Sequence, residues 1–145
     1  RQEEGWAEYA ARLSLDSWGL DQDMMEVIFL DQEFSYLLMG LSDIGINYGG
    51  WTVDDVYDLW ETYFYLDSAE DVRDVYDACM AEPGTILSYS IGYYQICDLE
   101  EEVKEMLGES FDHNEFVTEL LSVGGASFDI TRSYIMEWAN EKLHG

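Results

Sequence analysis

The 145 residues carry 32 acidic side chains against 6 basic ones, a formal charge of −26. With 48% hydrophobic and 15% aromatic residues the chain is too apolar for a disordered acidic tail, and every apolar run breaks before the roughly 18 residues that a membrane span needs. Arg1, Arg12, Arg73, Lys104, Arg132 and Lys142 are scattered singly, so no basic patch offers itself to phosphate and nucleic acid is excluded as a partner. The charge is compatible with solubility or salt adaptation, or with the attraction of cations or basic peptides.

Periodicity then predicts helices along the whole chain. The first spans about Glu3 to Trp18, with Trp6, Tyr9, Ala10 and Leu13 on one side, and Gly19 stops it. Because its helical period is already running at the second turn, the chain reads as part of something longer. Asp21 is a plausible N-cap for a second helix over 22–43. Met24, Val27, Ile28, Phe34, Leu37, Leu38 and Leu41 give that helix an apolar stripe wide enough for a central, largely buried element. Gly45 to Gly50 reads as the loop that ends it, since adjacent glycines tolerate backbone angles other residues avoid.

Thr52 with Asp55 fits a capping arrangement for a third helix of about 13 residues, and Ser68 with Asp71 caps a fourth. Pro83-Gly84 separates the fourth from the fifth, about Thr85 to Leu107. The first half of the fifth helix is apolar and aromatic and its second half, Asp98 to Glu105, acidic with Val103 and Leu107 still facing inward, the pattern of a buried start and a protruding end. Gly92 inside it weakens helix preference by about 1 kcal/mol relative to alanine, which points to a close packing contact there. Asp112 with Glu115 opens a sixth helix to about Ser122, and a seventh spans Ile130 to Leu143. The expected fold is therefore all-α: one compact domain, residues 1–145, of about seven helices with mostly antiparallel neighbours. Helices 22–43 and 85–107 are expected at its centre, with Trp6, Phe34, Leu38, Trp60, Ile91 and Trp138 mostly buried.

Local chemistry is sparse. There is no P-loop, GxGxxG, GxSxG or HExxH. Cys79 and Cys97 form no CxxC pair and read as free thiols in helices. His113 and His144 lack companions at metal-ligand spacing and are expected at the surface. Glu4 and Glu8 share a helical face, either a solvated acidic face or carboxylates for a divalent ion or acid–base work. The Gly45–Trp51 segment is either a structural glycine turn or a ligand-facing loop. Tyr89, Tyr93 and Tyr94 are either core aromatics or phenolic donors to a developing oxyanion.

The order of short motifs along the chain says more. Glu4-Gly5-Trp6-Ala7-Glu8-Tyr9-Ala10 is followed by Asp43-Ile44-Gly45-Ile46-Asn47, then Gly50-Trp51-Thr52. Next come Pro83-Gly84-Thr85-Ile86-Leu87-Ser88-Tyr89-Ser90-Ile91-Gly92, Leu107-Gly108-Glu109-Ser110-Phe111-Asp112 and Gly124-Gly125-Ala126. The set resembles, in order and over essentially the whole chain, the C-terminal part of the bacterial DUF885 family, which is itself similar to gluzincin-like zinc metallopeptidases.

The resemblance implies an upstream part of the same protein carrying a His-Glu motif and a second histidine. It implies Glu4, which opens the EGWAxY-like motif, as the third metal ligand, and a peptide as substrate. It also makes Tyr89 a catalytic oxyanion donor and Asn47, Tyr48 and Trp51 candidates for the substrate cleft. Zinc is then expected in the full-length protein, with no tight binding and no activity in residues 1–145 alone. At positions where the family carries arginines this chain has Tyr36 and Met39. Histidines are replaced by Asn47 and Val117, a lysine by Ser90, a glutamine by Thr85 and a proline by Ser127. Those changes remove charged and directional donors. The competing expectation is a non-catalytic acidic helical domain for peptide or protein interaction.

Overall fold

The computed structural model describes residues 2–15 and 19–144. Among them seven α-helices and two 3-10 turns follow one another without a strand: α1 Gln2–Ser14, α2 Gln22–Asn47, α3 Val53–Trp60, α4 Arg73–Ala81, α5 Thr85–Leu107, α6 His113–Ser122 and α7 Phe128–His144. The expected end of the first helix at Trp18 lies outside the described residues.

The caps act as the sequence predicts. Asp21 accepts the Asp23 N–H at the head of α2, and Asp112 accepts the Glu115 N–H at the head of α6. Thr52 and Asp55 form a reciprocal capping box on α3. Ser68 and Asp71 form another, on the 3-10 turn Ala69–Val72 that leads into α4. The third helix is shorter than periodicity suggests, because the chain turns at Glu61 and its aromatic residues continue into the turn.

The second helix is longer than expected: Gly45, Ile46 and Asn47 are helical, and the chain leaves the helix only at Tyr48, with Gly50 at φ +71°. Gly45 is required for contact rather than for a turn. A Cβ there would lie 2.2 Å from the Trp51 indole, so a bare backbone lets that ring lie flat against the helix.

Two clusters of buried side chains form. Tyr9, Ile96, Leu99, Val103, Leu107, Phe116, Leu120, Ile135 and Ala139 unite α1, α5, α6 and α7. Ile46, Val56, Val72 and Cys79, with Trp51 and Trp60 against them, unite α2, α3 and α4. α5 also packs along α2, which joins the halves. α1 crosses α5 more closely than an ordinary side chain permits: a Cβ on Gly5 would sit 2.3 Å from the carbonyl carbon of Gly92. The packing contact expected at Gly92 is thus a meeting of two glycines.

Three expectations need correction. α5 is central and Val103 and Leu107 face inward as expected, but its acidic half does not protrude; it also buries Leu99 and Glu100 and turns only its outer acids to water. α2 is not largely buried, since its Leu38, Gly40, Ser42, Asp43, Gly45 and Ile46 face inward while its other apolar side lies open. Phe34 and Ile91 are therefore exposed, whereas Leu38 is buried and Trp6, Trp60 and Trp138 are half-buried. A wide stripe read from one sequence does not distinguish two packed faces from one packed and one open.

Glu100 sits inside the first cluster. It accepts from the Tyr9 hydroxyl (2.8 Å), pairs with Lys104 Nζ (2.8 Å), and lies 2.8 Å from His113 Nδ1. Burial pushes its carboxyl up, but hydrogen bonds with Lys104, Tyr9 and His113 outweigh that and leave it below the usual carboxylate range. The Tyr9 phenol is correspondingly pushed far up, first by burial and then by Glu100. His113 is thus half-buried and engaged rather than a free surface residue.

A carboxylate with a depressed native pKa contributes stability that is present above its unfolded pKa, about 4.3, and is lost as pH falls through the lower folded value. Glu100→Gln should therefore cost about 1–3 kcal/mol at neutral pH, discounted for the exposure of Lys104. Its deficit against wild type should shrink in urea titrations below about pH 4; a deficit independent of pH would contradict the charged cluster. Gly5→Ala should lower stability by about 1–3 kcal/mol through overpacking at the crossing. A change within about 0.5 kcal/mol, the range of ordinary surface substitutions, would show that the helices do not meet there.

Candidate functional site

The glycine crossing decides which polar side chains meet. Glu4 precedes Gly5 on α1, and Tyr89 lies one turn before Gly92 on α5, so close approach of the two backbones brings carboxylate and phenol together. The nearby Glu4 carboxylate raises the Tyr89 pKa above its ordinary value. Tyr89 holds its proton at neutral pH, as a phenol does at its ordinary pKa of about 10, and can act as a donor.

One turn along α1, Glu8 accepts from Tyr36 Oη (3.0 Å) and from Gln32 Nε2 (3.0 Å), both on α2. The Tyr36 and Tyr89 rings stack at 5.4 Å between centroids and 28° between planes. Burial raises the Tyr36 phenol, Gln32 opposes this, and Glu8 adds to it. Glu8, Gln32, Tyr36 and Tyr89, with Phe29 and Tyr93, line a crevice of about 20 Å³ where α1, α2 and α5 converge. It has room for about one water-sized group. The Glu8 carboxylate here is held by neutral donors, and Tyr36 takes one of the places for which the family resemblance implies arginine.

The other sequence candidates gather elsewhere. Asn47 Nδ2 donates to Asp43 Oδ1 (2.7 Å) and to the Cys79 carbonyl (3.0 Å), tying the end of α2 to α4. The second oxygen of Asp43 accepts the Gly84 N–H (2.7 Å), which holds the Pro83-Gly84 turn at the head of α5. Trp51 packs over Gly45, and Tyr48 projects with 92% of its surface exposed. None of Asn47, Tyr48 and Trp51 lines the Glu8–Tyr89 crevice.

A larger cavity of about 430 Å³ lies between α5 and the start of α7, lined by residues including Leu87, Ile91, Gly92 and Phe128. No titratable side chain lines it, so it offers shape without acid–base chemistry. Among the described residues no group of three or more His, Cys, Asp or Glu side chains is placed to hold a metal ion.

A family model described as a bacterial protein of unknown function, DUF885, matches residues 2–135. The chain belongs to the DUF885 family. No curated protein and no solved structure matches it. Several motifs that carry the family resemblance have local structural duties. In the DUF885 chain described here, the two glycines of the EGWAxY-like and PGTILSYSIG segments form the helix crossing, while Asp43, Gly45 and Asn47 organise the end of α2.

Sequence reasoning missed the partners of Glu8 on α2, because helices that meet only in three dimensions leave no spacing signal. It also missed Glu100. A signal existed there: Ile96, Glu100, Val103 and Leu107 follow one helical stripe, and an acid within such a stripe is buried with partners or not buried at all.

The Glu4–Tyr89 pairing has a direct optical readout. Glu4→Gln removes the negative charge that discourages ionisation of Tyr89, so the Tyr89 phenol should titrate at lower pH than in the parent chain. Difference absorbance titration, with Tyr89→Phe to identify the signal, checks this. An unchanged titration would separate the two side chains.

Proposed function

We propose that this chain is the C-terminal helical portion of a zinc-dependent peptidase, with Glu4 as one metal ligand and the α1–α5 face as one wall of a peptide cleft. The observation that carries the reading is the meeting of Glu4 with Tyr89 across the Gly5–Gly92 crossing. The family resemblance singles out both residues, and they lie 85 positions apart in sequence. A carboxylate beside a phenol that keeps its proton supplies the two kinds of group that hydrolysis of a peptide bond uses: an oxygen ligand, and a donor for the negative charge that develops on the carbonyl oxygen.

The side chains described here do not by themselves fit a zinc ion, which takes three protein ligands in a catalytic site and four in a structural one. On this reading the missing donors are the histidines of an upstream part. The chain's own contribution is placement. The glycine crossing fixes the distance between α1 and α5, and the stacked Tyr36 ring limits the directions open to Tyr89. Asn47, Tyr48 and Trp51 remain cleft candidates only if an added part extends the cleft past the end of α2.

Calorimetry on residues 1–145 should give no sub-micromolar zinc isotherm; a single tight site in the monomer would contradict the division of ligands. In a polypeptide that also carries the two histidines, Glu4→Gln should lose zinc with helical content unchanged. Tyr89→Phe should keep zinc but turn over about 10²–10³-fold more slowly, the usual cost of one oxyanion donor. Normal zinc content and normal turnover in Glu4→Gln would remove the assignment.

A further inference from the structure

α2 carries an apolar seam that the other described residues leave exposed. Val27, Leu30, Phe34, Leu37, Leu41 and Ile44 follow each other at spacings of three and four, and Tyr48 continues the series just beyond the helix. That alternation is the heptad pattern of a helix that packs lengthwise on another helix. All seven are exposed, from 37% at Phe34 to 92% at Tyr48. The inward side of α2 is a different set, Leu38, Ser42, Asp43, Gly45 and Ile46, so the seam is not the rim of the core. Phe34 contacts Tyr63 and Phe64 at ring distances of 5.2 and 6.1 Å, which widens the seam with aromatic surface from the turn after α3. At about 1.5 Å per residue the stripe is about 30 Å long, the reach of three heptads.

The charges beside the seam select its occupant. The charged residues at its flanking heptad positions are Glu26, Asp31 and Glu33, and α2 contains no lysine or arginine. A second copy paired in parallel would bring Glu26, Asp31 and Glu33 against their own counterparts, and in either direction it would join two molecules that each carry a formal charge of −26. A helix with lysine or arginine at its flanking positions meets opposite charge instead. We propose that the outer face of α2 docks an amphipathic helix of a partner polypeptide, with apolar residues at heptad spacing and basic residues beside them. This inference goes beyond the peptidase reading and stands or falls separately from it, since it uses neither Glu4 nor Tyr89.

The test uses three labelled peptides of about 28 residues, four heptads each. One has leucine and isoleucine in the seam with lysine flanks, one has the same seam with glutamate flanks, and one has serine in the seam with lysine flanks. Fluorescence anisotropy should show the first binding the chain, more weakly as salt rises, and the other two at least about tenfold more weakly. The double variant Leu37→Gln, Leu41→Gln should lose on the order of tenfold or more in affinity for the first peptide while its circular dichroism is unchanged. Equal binding of the serine-seam peptide would reduce the interaction to bulk charge and overturn the proposal. So would a wild-type dimer in light scattering that the double variant dissolves, because the seam would then belong to a second copy.

Discussion

Two glycines in van der Waals contact set the geometry of this molecule. Where α1 crosses α5 neither helix presents a side chain, and the backbones come closer than any larger residue would permit. That crossing places the Glu4, Glu8 and Tyr9 side chains of α1. Glu4 falls on Tyr89, Glu8 reaches across to Tyr36 and Gln32 on α2, and Tyr9 inserts its hydroxyl into the core at Glu100. A wider crossing would separate all three sets together. The glycines cost helix propensity, about 1 kcal/mol each relative to alanine, and the close packing they permit is the compensation.

Charge enters the fold in two regimes. Most of the acids point to water, where they set the net charge and help cap helices. Asp43 and Glu100 are the buried exceptions: Asp43 accepts from the Asn47 amide and the Gly84 N–H, and Glu100 is surrounded by a phenol, an ammonium and an imidazole. Around Glu8 the donors are neutral, a phenol and an amide. A carboxylate satisfied by neutral donors keeps more of its own field than one neutralised by a cation at contact distance. The α1 face therefore retains negative potential, a property suited to a cationic ligand and useless for an anionic one.

The parts of the fold that were legible in sequence are those that local physics decides. Caps such as Thr52 with Asp55 and Asp112 with Glu115, and the break at Pro83-Gly84, mark helix ends through interactions within a few residues. The range Thr85–Leu107 was readable for that reason. Burial was less so, because an apolar residue on a helix does not reveal whether a neighbour covers it; Phe34 and Ile91 show the difference. Gly45 misled because glycine has two uses, permitting unusual angles and permitting contact, and here the Trp51 ring decides for contact. In the candidate site, Glu4 and Tyr89 were nameable from motif order, but Tyr36 and Gln32 became visible only once α2 lay beside α1.

The architecture also constrains the order in which the molecule assembles. The Tyr9–Glu100 bond closes a sequence separation of 91 residues. Bringing such distant ends together costs about 4 kcal/mol of chain entropy beyond a constant, by the logarithmic law for flexible loops. α6 and α7, by contrast, are neighbours in sequence and can pair early. During synthesis α1 is made before α5 and finds its glycine partner only after Gly92 has been added. For that interval Trp6 and Tyr9 lack the cover that α5, α6 and α7 give them in the finished fold.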